Sequence, residues 1–256
     1  MTWTQTLYLL GAALAAGAIN AVAGGGTILT FPTLLGVGTL PVAANATSTV
    51  ALMLGTGGSV FGFRRHIPAI RVWLWRFVPV SLLGGLIGSW LLTKTSNETF
   101  ALLVPFLILF ATLLFMIQGL LAKMVKRSVE EPTGGKSVWP AVLFQFAVAI
   151  YGGYFGAGIG ILMLATLGFI GLTDIHRMNA LKNILGSLIN VVASIMFVAK
   201  GMVEWPKAGV MTAGALVGYF IGAHYSQKIP QIWVRRIVLV VGFSISVITF
   251  YQKFHA

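Results

Sequence analysis

The chain has 256 residues, 57% of them hydrophobic and 9% charged, with 17 basic and five acidic residues and a net charge of +12. Mean hydropathy is +0.92. These values exclude a soluble domain, and the absence of cysteine excludes disulfides and thiolate metal sites. The excess of Lys and Arg is read first as the ordinary bias toward cytoplasmic loops and anionic headgroups, ahead of attraction to a soluble anion.

Apolar runs of 18 residues or more recur along the chain, each long enough to cross about 30 Å of hydrocarbon as a helix. Strand alternation with turn signals is missing. The expected fold is therefore an all-α polytopic membrane protein with eight to ten membrane segments in a single transmembrane domain, 1–256. Leu7–Ala18 could pass for a secretory signal. No Lys or Arg precedes it and the apolar pattern runs on, so it reads as a retained first membrane segment.

Trp3–Val37 comes first. At 35 residues it would be roughly 50 Å long as a helix, too long for one simple crossing. Gly24-Gly25-Gly26 and Pro32 mark where it should break. A helix over Ala43–Phe63 follows, then a glycine-rich helix over Trp73–Leu92 and an apolar one over Phe100–Ala122. The polar stretch Lys123–Ser137 reads as a linker. The second half has the same parts: Val138–Gly171, interrupted at Gly152-Gly153 and Gly156–Gly160, then Ile175–Ala199, Ala208–Ser226 and Ile232–Tyr251.

The halves align without a gap at an offset of 134 residues, matching Gly24 to Gly158, Gly26 to Gly160, Asn45 to Asn179, Ala46 to Ala180, Gly84 to Gly218 and Gly88 to Gly222. This gives repeat one at 3–122, the linker at 123–137 and repeat two at 138–254. Two copies in a membrane protein point to transporter architecture. The small residues of SLLGGLIGSW and GALVGYFIGAH are packing surfaces that let helix backbones approach. Four crossings per half would make the repeats parallel and five would invert them. The distribution of basic residues slightly favours five, hence inverted repeats.

Broken backbone in lipid leaves N–H and C=O groups unpaired, so it persists only beside protein or a watery cavity. Two breaks at matching places point to a central binding site, and half-helix N-termini favour an anion there. The competing explanation is tight helix packing by glycine. The helix after each break carries a polar stripe. Asn45, Thr49, Thr56 and Ser59 lie on the first; Asn179, Asn183 and Asn190 lie on the second, with Lys182 one position away. For Asn190 and Ser59, interhelical hydrogen bonding is explanation enough. Lys182 lies inside an apolar run. Either it snorkels to the interface or it supplies a fixed positive charge for an anion.

The candidate substrate-binding residues are Asn20, Gly24, Gly25, Gly26, Thr27, Asn45, Ser48, Thr49, Gly156, Gly158, Gly160, Asn179, Lys182 and Asn183. His176 and Arg177 stand at the mouth as gate or proton-coupling candidates. All five acids fall in linkers or at segment ends, which disfavours a cation pump or channel. No catalytic or metal-binding group is expected, because the four histidines lack ligand spacing, and no cofactor is expected. The alternative function is a membrane enzyme acting on a lipid or isoprenoid. It would need acid/base or metal groups that the sequence does not supply.

The stretch AGAINAVAGGGTILTFPTLLGVG, followed by ANATSTVALMLGTGGSVFGF, resembles the TauE/SafE sulfite-exporter family of secondary transporters. GGYFGAGIG followed by MNALKNILGSLIN is similar to that family's second motif. The resemblance covers essentially the whole chain. It implies transport of small sulfur-containing or organic anions, such as sulfite, thiosulfate or sulfonates, across a prokaryotic cytoplasmic membrane. Expected partners are a small anionic substrate and membrane lipid, with no nucleic acid. A homodimer stays open as an assembly.

Overall fold

A computed structural model describes residues 1–22, 25–62, 65, 67–130, 138–170, 172, 174–225 and 231–254. These residues form ten α-helices and no strand. In order they are α1 (Trp3–Val22), α2 (Thr27–Gly36), α3 (Pro41–Gly62), α4 (Ile67–Lys94), α5 (Asn97–Glu130), α6 (Trp139–Tyr154), α7 (Ile159–Phe169), α8 (Ile175–Ala199), α9 (Trp205–Tyr225) and α10 (Gln231–Phe254). Three are long and apolar enough to cross a membrane: α4, α5 over Asn97–Ile117, and α8 over Arg177–Ala199. Shorter apolar helices lie at Thr27–Gly36, Ile159–Gly168 and Val238–Tyr251.

Both long apolar stretches are interrupted at their glycines. The first ends as α1 and resumes as the ten-residue α2 with Gly26 as its N-cap. The second ends at Tyr154 and resumes at Ile159, with Gly156 and Gly158 at φ +80° and +78°. Only glycine takes that left-handed backbone at little cost, so the turn between α6 and α7 depends on it. Pro32, expected to help break the first stretch, lies inside α2 without ending it. The predicted linker also starts later than its polarity suggests. α5 continues to Glu130 because Ala, Lys, Met and Arg sustain a helix beyond the apolar run. Residues 131–137 are outside the described part.

The glycine-rich helices pack against the interrupted helices of the other half. A Cβ on Gly218 of α9 would collide with the Leu14 carbonyl of α1, and one on Gly222 would lie 2.7 Å from the Ala18 carbonyl oxygen. On the other side, a Cβ on Gly88 of α4 would collide with the Ile150 carbonyl of α6, and one on Gly84 would lie 2.8 Å from the Phe146 carbonyl oxygen. With lipid rather than water outside, close backbone packing replaces the hydrophobic effect as the association force. Opposite faces, with Leu83, Ile87 and Trp90 on α4 and Phe220 on α9, are exposed as lipid-facing surfaces should be.

α3 and α8 pack on each other and on the glycine helices, and α5 packs on α10. Several polar ties join the halves away from the breaks, among them Gln145 to the Ser81 hydroxyl at 3.0 Å, Ser187 to the Thr56 carbonyl at 3.1 Å and a group around Lys207. Lys207 of α9 donates to the Thr39 hydroxyl at 2.7 Å and pairs with Glu204 at 2.7 Å, and the Glu204 N–H donates to Thr47 of α3 at 3.0 Å.

Candidate functional site

At the first break, Asn20 closes the gap that the glycines leave. Its Oδ1 accepts the Gly26 N–H at 2.8 Å, and its Nδ2 donates to the Tyr219 hydroxyl of α9 at 2.7 Å. Asn20 thus satisfies one of the orphan donors at the start of α2. Gly25, at φ +106°, sits directly against the Phe115 ring, which fills the space a side chain would need. Thr27 opens α2 half-buried. Gly24 lies outside the described residues.

α3 runs behind both breaks. Ser48 is buried and bonded to the Thr30 hydroxyl of α2 at 2.6 Å. The Thr49 hydroxyl turns back to the Asn45 carbonyl at 2.9 Å. Asn45 reaches across to the second half, where Nδ2 donates to the Tyr154 carbonyl at 2.9 Å. Tyr154 is the last residue of α6, so this bond satisfies a carbonyl that the break orphans. Asn45 Oδ1, fully buried, has no donor among the described residues.

At the second break no side chain caps α7. The N–H groups of Gly158 and Gly160 find no acceptor among the described residues. A Cβ on Gly160 would lie 3.4 Å from Lys182 Cδ, so the lysine stem of α8 runs over the first turn of α7. Lys182 is half-buried and pairs with no described residue. Spare N–H groups, the positive end of a helix and one ammonium stem therefore converge there, an arrangement suited to negative charge. Asn179 and Asn183 flank Lys182 on α8, both half-buried. Arg177 is tied to Asp174 at 3.2 Å near the start of the helix, with half its side chain exposed. The His176 and Ser59 side chains lie outside the described residues. Among the described residues, no group of His, Asp or Glu could hold a metal ion.

The two breaks are asymmetric in a way their matched glycines do not foretell. At the first, Asn20 takes the Gly26 N–H, while those of Gly25 and Thr27 find no acceptor among the described residues. At the second, no described side chain takes an N–H, and the Lys182 stem crosses the turn. They are also joined by parts that patterning does not single out. Phe31 of α2 lies edge-on to Phe155 of the second break at 5.3 Å. One turn of α5 touches both, through Phe115 on Gly25 and Leu114 on Gly158. Tyr219, Tyr154 and Phe115 carry no sequence signal, because an aromatic in an apolar helix looks like core or lipid surface.

Apolar spans, two helices interrupted at glycine clusters and polar side chains gathered at the interruptions describe a multi-pass helical membrane protein. The model of the sulfite exporter TauE/SafE family matches residues 9–249, and the chain belongs to this family of membrane transporters. It is 27% identical over 238 residues to a probable membrane transporter protein of Haemophilus influenzae, covering 92% of this chain and 90% of the relative. It is 25% identical over 245 residues to the probable membrane transporter protein ORF9 of Sinorhizobium sp, covering 94% and 90%. It is 24% identical over 233 residues to the probable membrane transporter protein YfcA of Escherichia coli K12, covering 90% and 84%. No solved structure gives a significant match. The family and these relatives are transporters, not enzymes, so a small substrate and surrounding lipid are the partners.

Proposed function

We propose that the protein is a secondary transporter, working as an exporter, for small sulfur-containing or organic anions such as sulfite or sulfonates. It acts in a prokaryotic cytoplasmic membrane. The anion is held mid-membrane between the interrupted helices and is exposed to each side in turn. The observation that carries the reading is the second break. Its Gly158 and Gly160 N–H groups are unclaimed among the described residues, and the Lys182 stem crosses the same turn. Gly156, Gly158, Gly160, Lys182, Asn179 and Asn183 hold the anion in this reading. Gly26 and Asn20 keep the first break in shape.

The domain reading belongs to the same proposal: eight to ten spans, repeats at 3–122 and 138–254, and inverted orientation. The reciprocal packing of α1 on α9 and α6 on α4 supports two copies exchanging partners. Interrupted helices in inverted repeats are the usual setting for a midplane site.

A melting-temperature screen of the purified protein tests the function, because a ligand of the native state raises its stability. Sodium salts of sulfite, thiosulfate and methanesulfonate should raise the melting temperature, whereas exchanging sodium for choline should not change it. If no small anion shifts the melting temperature and a cation does, the proposal fails.

A further inference from the structure

We infer that the transported species is a monoanion carrying its own hydrogen-bond donor, and that Asn45 is the residue that reads that donor. The inference rests on the anion site proposed at the second break. Asn45 is 1% exposed, and its Nδ2 donates to the Tyr154 carbonyl, which fixes the orientation of the amide. Its Oδ1 is buried and accepts no hydrogen bond from the described residues. A flipped amide is worse, since it would set two acceptor oxygens face to face and orphan the NH2 group instead. Native proteins rarely leave such an acceptor unmet.

Buried polar atoms without a partner also occur at Ser194 and Ser246. Asn45 differs from these because it is bonded to the edge of a helix break. It grips that break at Tyr154, and Lys182 covers it at Gly160, six residues further along. The groups gathered there fall into two kinds. Lys182 and the free N–H groups are donors and suit negative oxygens. Asn45 Oδ1 is an acceptor and suits an O–H. A fully deprotonated oxyanion would set oxygen against oxygen at Asn45. A dianion would in addition leave one charge uncompensated beside the single lysine, which is expensive away from water. Hydrogensulfite or a hydroxyalkanesulfonate meets both requirements. Oδ1 is closed to solvent in this conformation. The substrate's donor must therefore reach it at another stage of transport, with the Nδ2–Tyr154 bond, and the amide orientation it fixes, kept.

Calorimetric titration of the purified full chain tests this at one mildly acidic pH, where sulfite is chiefly hydrogensulfite. Two pairs isolate the donor: hydrogensulfite against methanesulfonate, and 2-hydroxyethanesulfonate against ethanesulfonate. Each pair shares charge and approximate size. The donor-bearing member of at least one pair should bind roughly tenfold more tightly, as a site built around a hydroxyl rejects the analogue that lacks it. Asn45→Leu should reduce that ratio to less than about twofold. Should Asn45→Leu fail to fold, the wild-type ratios decide. Equal constants within both pairs overturn the inference and leave the anion reading standing. A preference that persists in Asn45→Leu also overturns it. If no anion binds at all, the anion site itself is wrong.

Discussion

Asn20 of α1 holds Tyr219 of α9 by a 2.7 Å hydrogen bond, and the same side chain accepts the Gly26 N–H at 2.8 Å. The tyrosine ring in turn fills the space beside Gly55 of α3. One amide therefore closes a helix break, binds a helix of the opposite half and positions a ring against a third helix.

Tyr219→Phe should cost about 0.5–2 kcal/mol, since it removes one interhelical bond within lipid. Asn20→Leu should cost more, about 1–3 kcal/mol, because a buried N–H is left unmet as well. Chemical unfolding in detergent, run as a double-mutant cycle, should show the double mutant losing less than the sum of the two single losses. Strict additivity would mean that the bond contributes nothing.

Lys182→Met keeps most of the side-chain volume and removes the charge. We expect sulfite affinity to fall roughly tenfold or more, since a charge-assisted bond is worth about 1.5–3 kcal/mol and 1.4 kcal/mol is a factor of ten. Lys182→Arg should be intermediate, because a planar fork does not replace a compact ammonium. Lys200, exposed at the end of α8, is the control. If calorimetry gives Lys182→Met and Lys200→Met the same dissociation constant as wild type, Lys182 snorkels and is not a ligand.

Gly88→Ala and Gly218→Ala should each destabilise the protein by about 1–3 kcal/mol, because the new methyl meets a backbone carbonyl that cannot move aside alone. Gly209→Ala, with open space around it, should be neutral or slightly stabilising. Melting temperatures and size-exclusion profiles would rank the three variants. A Gly218→Ala protein as stable as Gly209→Ala would show that α1 and α9 do not pack this closely.

The chain has no cysteine, so single cysteines can report water access without background. Thr27→Cys and Ile159→Cys, at the starts of α2 and α7, should both react with a small polar thiol reagent, and sulfite should protect Ile159→Cys more strongly. Gly25→Cys is unsuitable, because its backbone is left-handed and Phe115 occupies the space. Failure of both cysteines to label under any condition would mean that the breaks face no shared cavity.

The sequence by itself determined the membrane setting, the helical class and the position of both interruptions. Hydrophobicity, helix length and glycine conformation are local properties, and each can be read from a short window. It also identified the glycine helices as packing surfaces, because small residues in lipid have few other uses. Only the tertiary structure decided that α9 serves α1 and α4 serves α6, across the halves. It alone set one turn of α5 against both breaks, gave Asn20 the role of internal cap and left Asn45 with an unmet oxygen. Pro32 shows the limit of local rules, since a residue that usually breaks helices stays inside α2. The matched glycines look equivalent at an offset of 134, yet a side chain caps one break and no described side chain caps the other. That difference depends on which side chain meets each break, Asn20 at the first and the Lys182 stem at the second. Such pairings join residues far apart in the chain, and no periodicity or spacing along the chain encodes them.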